Sequence, residues 1–291
     1  MFVKPQKTLQ EQLPELRPGQ SVELLKELHI LTRDGKLNQD TRRKLKQVYH
    51  LVQFIEPLLA EVLKSKRDVT LADHGAGKSY LGFILYDLFF KDKPVGWVTG
   101  VETRAELVER SQALATRLGF DRMRFLATTV QAALTHPDLP ASIDVVTALH
   151  ACDTATDDAI AFGLAKQARH MVLVPCCQAE VAAVMKRSKA LNLARTPLAE
   201  LWRHPLHTRE FGSQITNVLR CLQLEAHGYS VTVTELVGWE HSMKNELILA
   251  SRTGGSGQGA QQRHAAERLH QVLDEVGLQD LRARFEVPEP A

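Results

Sequence analysis

The feature that most limits how this chain can fold is a change of rhythm near Lys66. Beyond it, short apolar runs alternate with amphipathic stretches. Val69–Ala72, Val95–Thr99, Met123–Ala127, Asp144–Leu149 and Met171–Val174 read as strands, each followed by a helical pattern. Strands joined by helices imply a parallel sheet with helices on both faces. Two later runs, Ser230–Val237 and Asn245–Ala250, are joined by a turn with no room for a helix and predict an antiparallel edge. The expected fold is therefore α/β, with five helix-linked strands and a closing hairpin.

Before the change of rhythm, residues 1–20 are polar and proline-containing and read as a loosely held lead-in. Val22, Leu25, Leu28 and Ile30 predict a short helix within Ser21–Leu31, closed by Asp34-Gly35. Leu45, Val48, Leu51, Val52, Ile55, Leu58, Leu59, Val62 and Leu63 recur at spacings of three and four and predict a long helix, which Pro57 should kink or divide. Near the other end, Gly254–Gln262 reads as a flexible linker and Ala265–Val276 as a terminal helix. The domain organisation expected is a helical N-terminal extension over 1–66, a ligand-binding domain over 67–253, and a linker with a helical tail over 254–291.

Composition excludes several classes. A chain that is 44% hydrophobic and 24% charged does not suit wholesale disorder. Its formal net charge of +2 means that any polyanion-binding surface must be local. Two basic clusters qualify: Arg42, Arg43, Lys44 and Lys46, and Lys186, Arg187, Lys189 and Arg195. Solvated helix faces are the bland explanation for both. The four cysteines lack framework or metal-ligand spacing, which suggests reduced thiols in a cytoplasmic protein and no metal. No apolar stretch approaches the roughly 18 residues of a membrane span.

The first strand runs into Asp73-His74-Gly75-Ala76-Gly77-Lys78-Ser79, and Leu81, Ile84, Leu85 and Leu88 mark a helix beyond it. Strand, glycine turn and helix present backbone N–H groups to a ligand. Two ligands fit. Ala72 followed by four residues and then Gly77-Lys78-Ser79 is a relaxed phosphate loop, though the strict pattern has Gly where Ala72 stands. It also asks for a later strand ending in Asp, and Asp153 lies too far along. The other reading is an adenosine-bearing cofactor. Asp73 closes the first strand and Glu102 follows the second, where an acid can accept both ribose hydroxyls. The second reading accounts for more residues.

Ligands of open α/β sheets bind beyond the carboxyl ends of the strands. Strand four delivers His150 and Asp153 there, which makes them the candidate acid–base residues. Competing readings are a strand-end cap for His150 and a helix N-cap for Asp153. Strand five delivers Cys176 and Cys177, best read as pocket-wall residues that face the substrate. Leu201–Gly228 holds Trp202, His204, His207, Arg209 and a core-helix pattern through Ile215, Leu219, Leu222 and Leu224.

Together these motifs resemble a branch of the class I methyltransferases that depend on S-adenosylmethionine (SAM). In that branch the glycine loop reads D-x-G-x-G-K, here Asp73–Lys78, and strand four ends in H-A-C, here His150-Ala151-Cys152. A Cys pair after strand five stands here as Cys176-Cys177, and a closing E-H-T-P-K-N as Glu240-His241-Ser242-Met243-Lys244-Asn245. The resemblance spans roughly residues 20–252 and includes Arg42–Gln47. It implies a Rossmann-like seven-stranded sheet and a SAM cofactor held by Asp73, Gly75, Gly77, Glu102, Thr128, Thr129 and His150. It also implies that Lys244 and Asn245 flank the substrate. One relative methylates tRNA ribose, which points to RNA as the acceptor, with protein or a small molecule as alternatives. The chain departs from the pattern at Ser242-Met243, and at Gln178, where relatives commonly carry His.

Overall fold

The computed structural model describes residues 13–149, 153–175, 179–188, 196–236, 246–254 and 258–288. Seven strands form one mixed sheet flanked by helices, in the order β3-β2-β1-β4-β5-β7-β6. The chain divides into two compact units, Met1–Thr128 and Thr129–Ala291.

Of the expected lead-in, the described part from Leu13 onward is pinned rather than loose. Leu13 and Leu16 are buried, and Arg17 pairs with Glu56 at 3.0 Å. Helix α1 (Val22–Glu27) is capped by Ser21, whose side chain accepts the Leu24 N–H. Helix α2 (Gln39–Ser65) opens with a reciprocal capping box between Asn38 and Thr41. It runs unbroken through Pro57, contrary to the expected division. Proline removes one intrahelical bond, but Val52, Ile55, Leu59 and Val62 are fully buried on both sides of it and hold the helix in place.

Strands β1 (Thr70–His74), β2 (Trp97–Glu102) and β3 (Met123–Ala127) pair in parallel, with Asp73 opposite Gly100 and Val98 opposite Met123. Both β1 and β2 extend further toward their carboxyl ends than the apolar runs suggested, because Asp73, His74 and Glu102 are themselves buried. Between β1 and β2, helix α3 (Tyr80–Leu85) passes into a π-helical turn, Tyr86–Phe90. The extra residue of that turn shifts the inward stripe by one. Phe89 and Phe90 are buried in consequence, and Leu88, expected inside, is only half-buried. The same turn buries Asp87, which accepts the Ser21 N–H at 2.8 Å and pairs with Lys91 at 2.8 Å. Helix α4 (Ala105–Arg117) follows β2 and leads back to β3.

The second unit starts with α5 (Val130–Leu134) and β4 (Val145–Leu149), continues through α6 (Thr154–Ala165) and β5 (His170–Val174), and then α7 (Glu180–Ser188). A 3₁₀ turn (Pro197–Trp202) precedes the long α8 (Pro205–Ala226). The expected hairpin is present: β6 (Tyr229–Glu235) and β7 (Glu246–Arg252) are antiparallel, and β7 also runs antiparallel to β5. The last helix, α9 (Gln258–Glu275), starts inside the predicted linker. Gln258, Ala260, Gln261 and Gln262 favour a helix, which overrides the linker reading from Gln258 onward, while residues 255–257 lie outside the described residues. The tail is core material: Leu269, Leu273 and Phe285 pack with Val181, Met185 and Leu219. No helix among the described residues is long and apolar enough to cross a membrane.

Candidate functional site

The glycine loop leaves the carboxyl end of β1 in an unusual backbone conformation. Gly75, Gly77 and Ser79 all have positive φ, at 61°, 56° and 51°. Alternating left-handed residues turn successive N–H groups toward a common side, which is how backbone makes concave acceptor-binding surfaces. Glycine adopts such angles without strain. A Cβ at Gly77 would touch the Arg104 guanidinium at 3.8 Å and the Gly75 carbonyl at 3.9 Å, so that side chain lies over the loop surface.

Glu102, the last residue of β2, closes this loop. Its Oε2 accepts the Gly77 N–H at 2.8 Å. Its Oε1 accepts the backbone N–H of Arg104 at 3.1 Å. The Arg104 guanidinium then straddles the carboxylate, Nε to Oε1 at 3.0 Å and Nη2 to Oε2 at 3.1 Å. Burial pushes the Glu102 carboxyl upward, but the Arg104 side chain, the two amides and the Arg104 charge outweigh it and bring it down to about 2. Glu102 is therefore ionised and acceptor-only at neutral pH. An ionised carboxylate against a glycine loop suits a ligand that offers two hydroxyl donors in place of the guanidinium.

Asp73 is buried, and its Oδ2 lies 3.6 Å from the position a Cβ would take on Gly82. His74 beside it is 3% exposed, and burial lowers its pKa to about 4. Thr128 follows β3 and donates its N–H to the Glu102 carbonyl at 3.0 Å. Asp73, Gly75, Gly77, Glu102 and Thr128 thus gather at one end of the first unit's strands. Ser79 is fully buried, and its hydroxyl has no hydrogen-bond partner among the described residues. A phosphate loop needs that hydroxyl turned outward to a metal ion.

In the second unit, Thr129 caps α5 by accepting the Ala132 N–H at 3.3 Å. Asp153 stands at the N-cap position of α6 but makes no side-chain cap there. Its Oδ1 instead accepts the N–H groups of Ala179 (2.9 Å) and Glu180 (3.1 Å), so it caps α7. His150, Cys176, Cys177, Lys244 and Asn245 lie outside the described residues. Arg104 is the site residue that sequence reading missed. Its signal was weak: a cation two positions past the acid at the end of a predicted strand.

A family model described as a methyltransferase domain matches residues 43–184. No curated protein matches the chain. Several solved structures are similar. A putative O-methyltransferase from Klebsiella pneumoniae aligns at 13% identity and TM-score 0.45, over 84% of this chain and 94% of that one. Magnesium protoporphyrin IX methyltransferase from Synechocystis, with bound S-adenosylhomocysteine (SAH), aligns at 14% identity and 0.44, over 79% and 93%. An rRNA methylase from Streptococcus thermophilus aligns at 9% identity and 0.43, over 69% and 95%.

Proposed function

We propose that this chain, whose residues 43–184 match a methyltransferase-domain model, takes a methyl group from SAM and transfers it to RNA, in the manner of the branch related to tRNA ribose methyltransferases. The observation that carries the donor-site reading is the Glu102 carboxylate, ionised and held on the glycine loop by the Gly77 N–H. Glu102 is proposed to accept the ribose hydroxyls. Asp73, Gly75, Gly77, Thr128, Thr129 and His150 are proposed to complete the donor site. The catalytic domain is taken as 67–253, between the N-terminal extension and the tail.

The donor supplies an electrophilic methyl group, and the protein's task is alignment in a dry site. His150 is proposed to accept the acceptor's proton, since a hydroxyl needs a base within hydrogen-bond reach. Asp153, with Oδ1 engaged by two α7 amides, is assigned to positioning the turn after β4. Cys176, Cys177, Lys244 and Asn245 are proposed to face the substrate. Support for RNA comes from Arg42, Arg43, Lys44 and Lys46, all exposed on α2 while Leu45 among them and Val48 after them are buried.

The test is transfer of labelled methyl from SAM into cell extract, followed by separate nuclease and protease treatment. Label released by nuclease supports RNA. Label that resists nuclease and is lost to protease makes the acceptor a protein, and label that survives both and stays in the small-molecule fraction also overturns the RNA reading.

A further inference from the structure

The Glu102 carboxylate is saturated. A carboxylate offers about four lone-pair positions. The Gly77 and Arg104 backbone amides take two of them, the Arg104 guanidinium takes the other two, and the Thr103 hydroxyl adds a longer bond to Oε1 at 3.3 Å. The amide bonds are fixed by the backbone of the loop and of the turn after β2. Those made by the guanidinium occupy the positions that a ribose diol would need.

Resting on the reading of Glu102 as the ribose seat, we propose that Arg104 is an affinity-determining residue of the donor site, which competes with the ribose hydroxyls for both oxygens of Glu102. The two side chains are built for this exchange. Glu102 is 8% exposed and held by two backbone amides, whereas Arg104 is 59% exposed and can swing into solvent from the start of α4. Nη2 lies 3.8 Å from where a Cβ would sit on Gly77, so the guanidinium covers the loop where a nucleoside would lie. The guanidinium end of the pair is solvated and the two backbone amides stay on Glu102 when it leaves, so release of Arg104 is within reach of ordinary ligand binding. Two-pronged geometry still makes the guanidinium a better competitor than an ammonium.

The experiment is calorimetry of the full chain with SAH, which carries no net charge at neutral pH and so removes simple repulsion by the Arg104 cation. Arg104→Ala is expected to bind SAH roughly three- to five-fold more tightly than the unmodified protein. Arg104→Lys should fall between them, because an ammonium holds one oxygen as a point charge. Raising the salt concentration should tighten binding to the unmodified protein and leave Arg104→Ala unchanged, since salt weakens the ion pair. Glu102→Gln serves as the control for the seat. If it weakens SAH while Arg104→Ala binds equally or less well, the seat stands and the competing role of Arg104 is overturned. If Glu102→Gln leaves SAH affinity unchanged, the ribose seat itself is wrong and the proposal goes with it.

Discussion

Arg220 and Asp157 meet face to face inside the second unit, Nε to Oδ1 at 2.7 Å and Nη2 to Oδ2 at 2.8 Å, with side chains 1% and 5% exposed. The same guanidinium donates to the Asp153 carbonyl at 2.9 Å and to Asn217 Oδ1 at 3.1 Å. Asn217 donates onward to Glu246 at 2.7 Å, at the start of β7. Asp153 sits at φ 51°, ψ −121°, a conformation that side-chain-bearing residues rarely adopt. Such a residue persists only where its surroundings over-determine it. Arg220 on its carbonyl and the α7 amides on its carboxylate do so.

Removing one partner of a buried pair leaves the other charge uncompensated. Asp157→Ala should therefore cost about 3–5 kcal/mol, read from urea denaturation. The double variant Asp157→Leu with Arg220→Met should lose much less, because neither charge is left behind. An equal loss in the two variants would mean that something other than the pair holds these helices.

Ser79 and Gly82 form a second, tighter relationship. A Cβ on Gly82 would stand 2.6 Å from Ser79 Oγ, a buried hydroxyl at φ 51°. Alanine for glycine in a helix normally stabilises by about 0.5–1 kcal/mol. Here Gly82→Ala is expected to destabilise by about 1–3 kcal/mol through overpacking. Ser79→Gly removes both the hydroxyl and the left-handed strain, so it should stabilise by about 1 kcal/mol. In that background Gly82→Ala should revert to neutral or favourable. A loss that persists there would place the clash elsewhere.

His74 gives the stability a defined pH dependence. Its folded pKa lies near 4, against 6.5 unperturbed. As pH falls, the unfolded chain takes up this proton first. Stability is therefore complete above about pH 6.5 and declines as pH drops toward 4, by about 3 kcal/mol in all. The Glu102 contribution, with its pKa lowered to about 2, is present above the ordinary carboxylate range and disappears only at more acid pH. Urea midpoints between pH 7 and pH 4.5 should flatten in His74→Gln, and an unchanged slope would assign the dependence to another group.

Cys221 is a free thiol whose pKa is pushed to about 12, first by burial and then by the charges of Glu246 and Glu225. Thiolate is the reactive form. Iodoacetamide at pH 8 should leave the Cys221 peptide unmodified in the folded protein and alkylate it in urea, as read by mass spectrometry. Labelling at equal rates in both states would contradict the burial.

Much of the architecture was legible in the chain. Each strand lies within a few residues of its apolar run, and Met123–Ala127 matches at both ends. The errors have physical causes. Strand β2 ran on to Glu102 because a buried, fully bonded carboxylate does not interrupt a strand as an exposed one would. The stripe after Leu85 slipped because a π turn has no periodic signature of its own. Helix α2 survived Pro57 because packing outweighed one lost bond.

The sequence by itself determined the layered α/β order, the closing hairpin and the placement of the glycine loop after β1 and of Glu102 at the end of the next strand. These follow from spacing along the chain, where apolar periodicity and turn chemistry are local properties. Tertiary structure decided which polar groups meet: Arg104 on Glu102, Asp153 on α7 rather than α6, and Arg220 on Asp157 across 63 positions of sequence. Such pairs leave no periodic trace. They form where folding brings two desolvated groups within about 3 Å, and either partner alone reads as an ordinary surface charge.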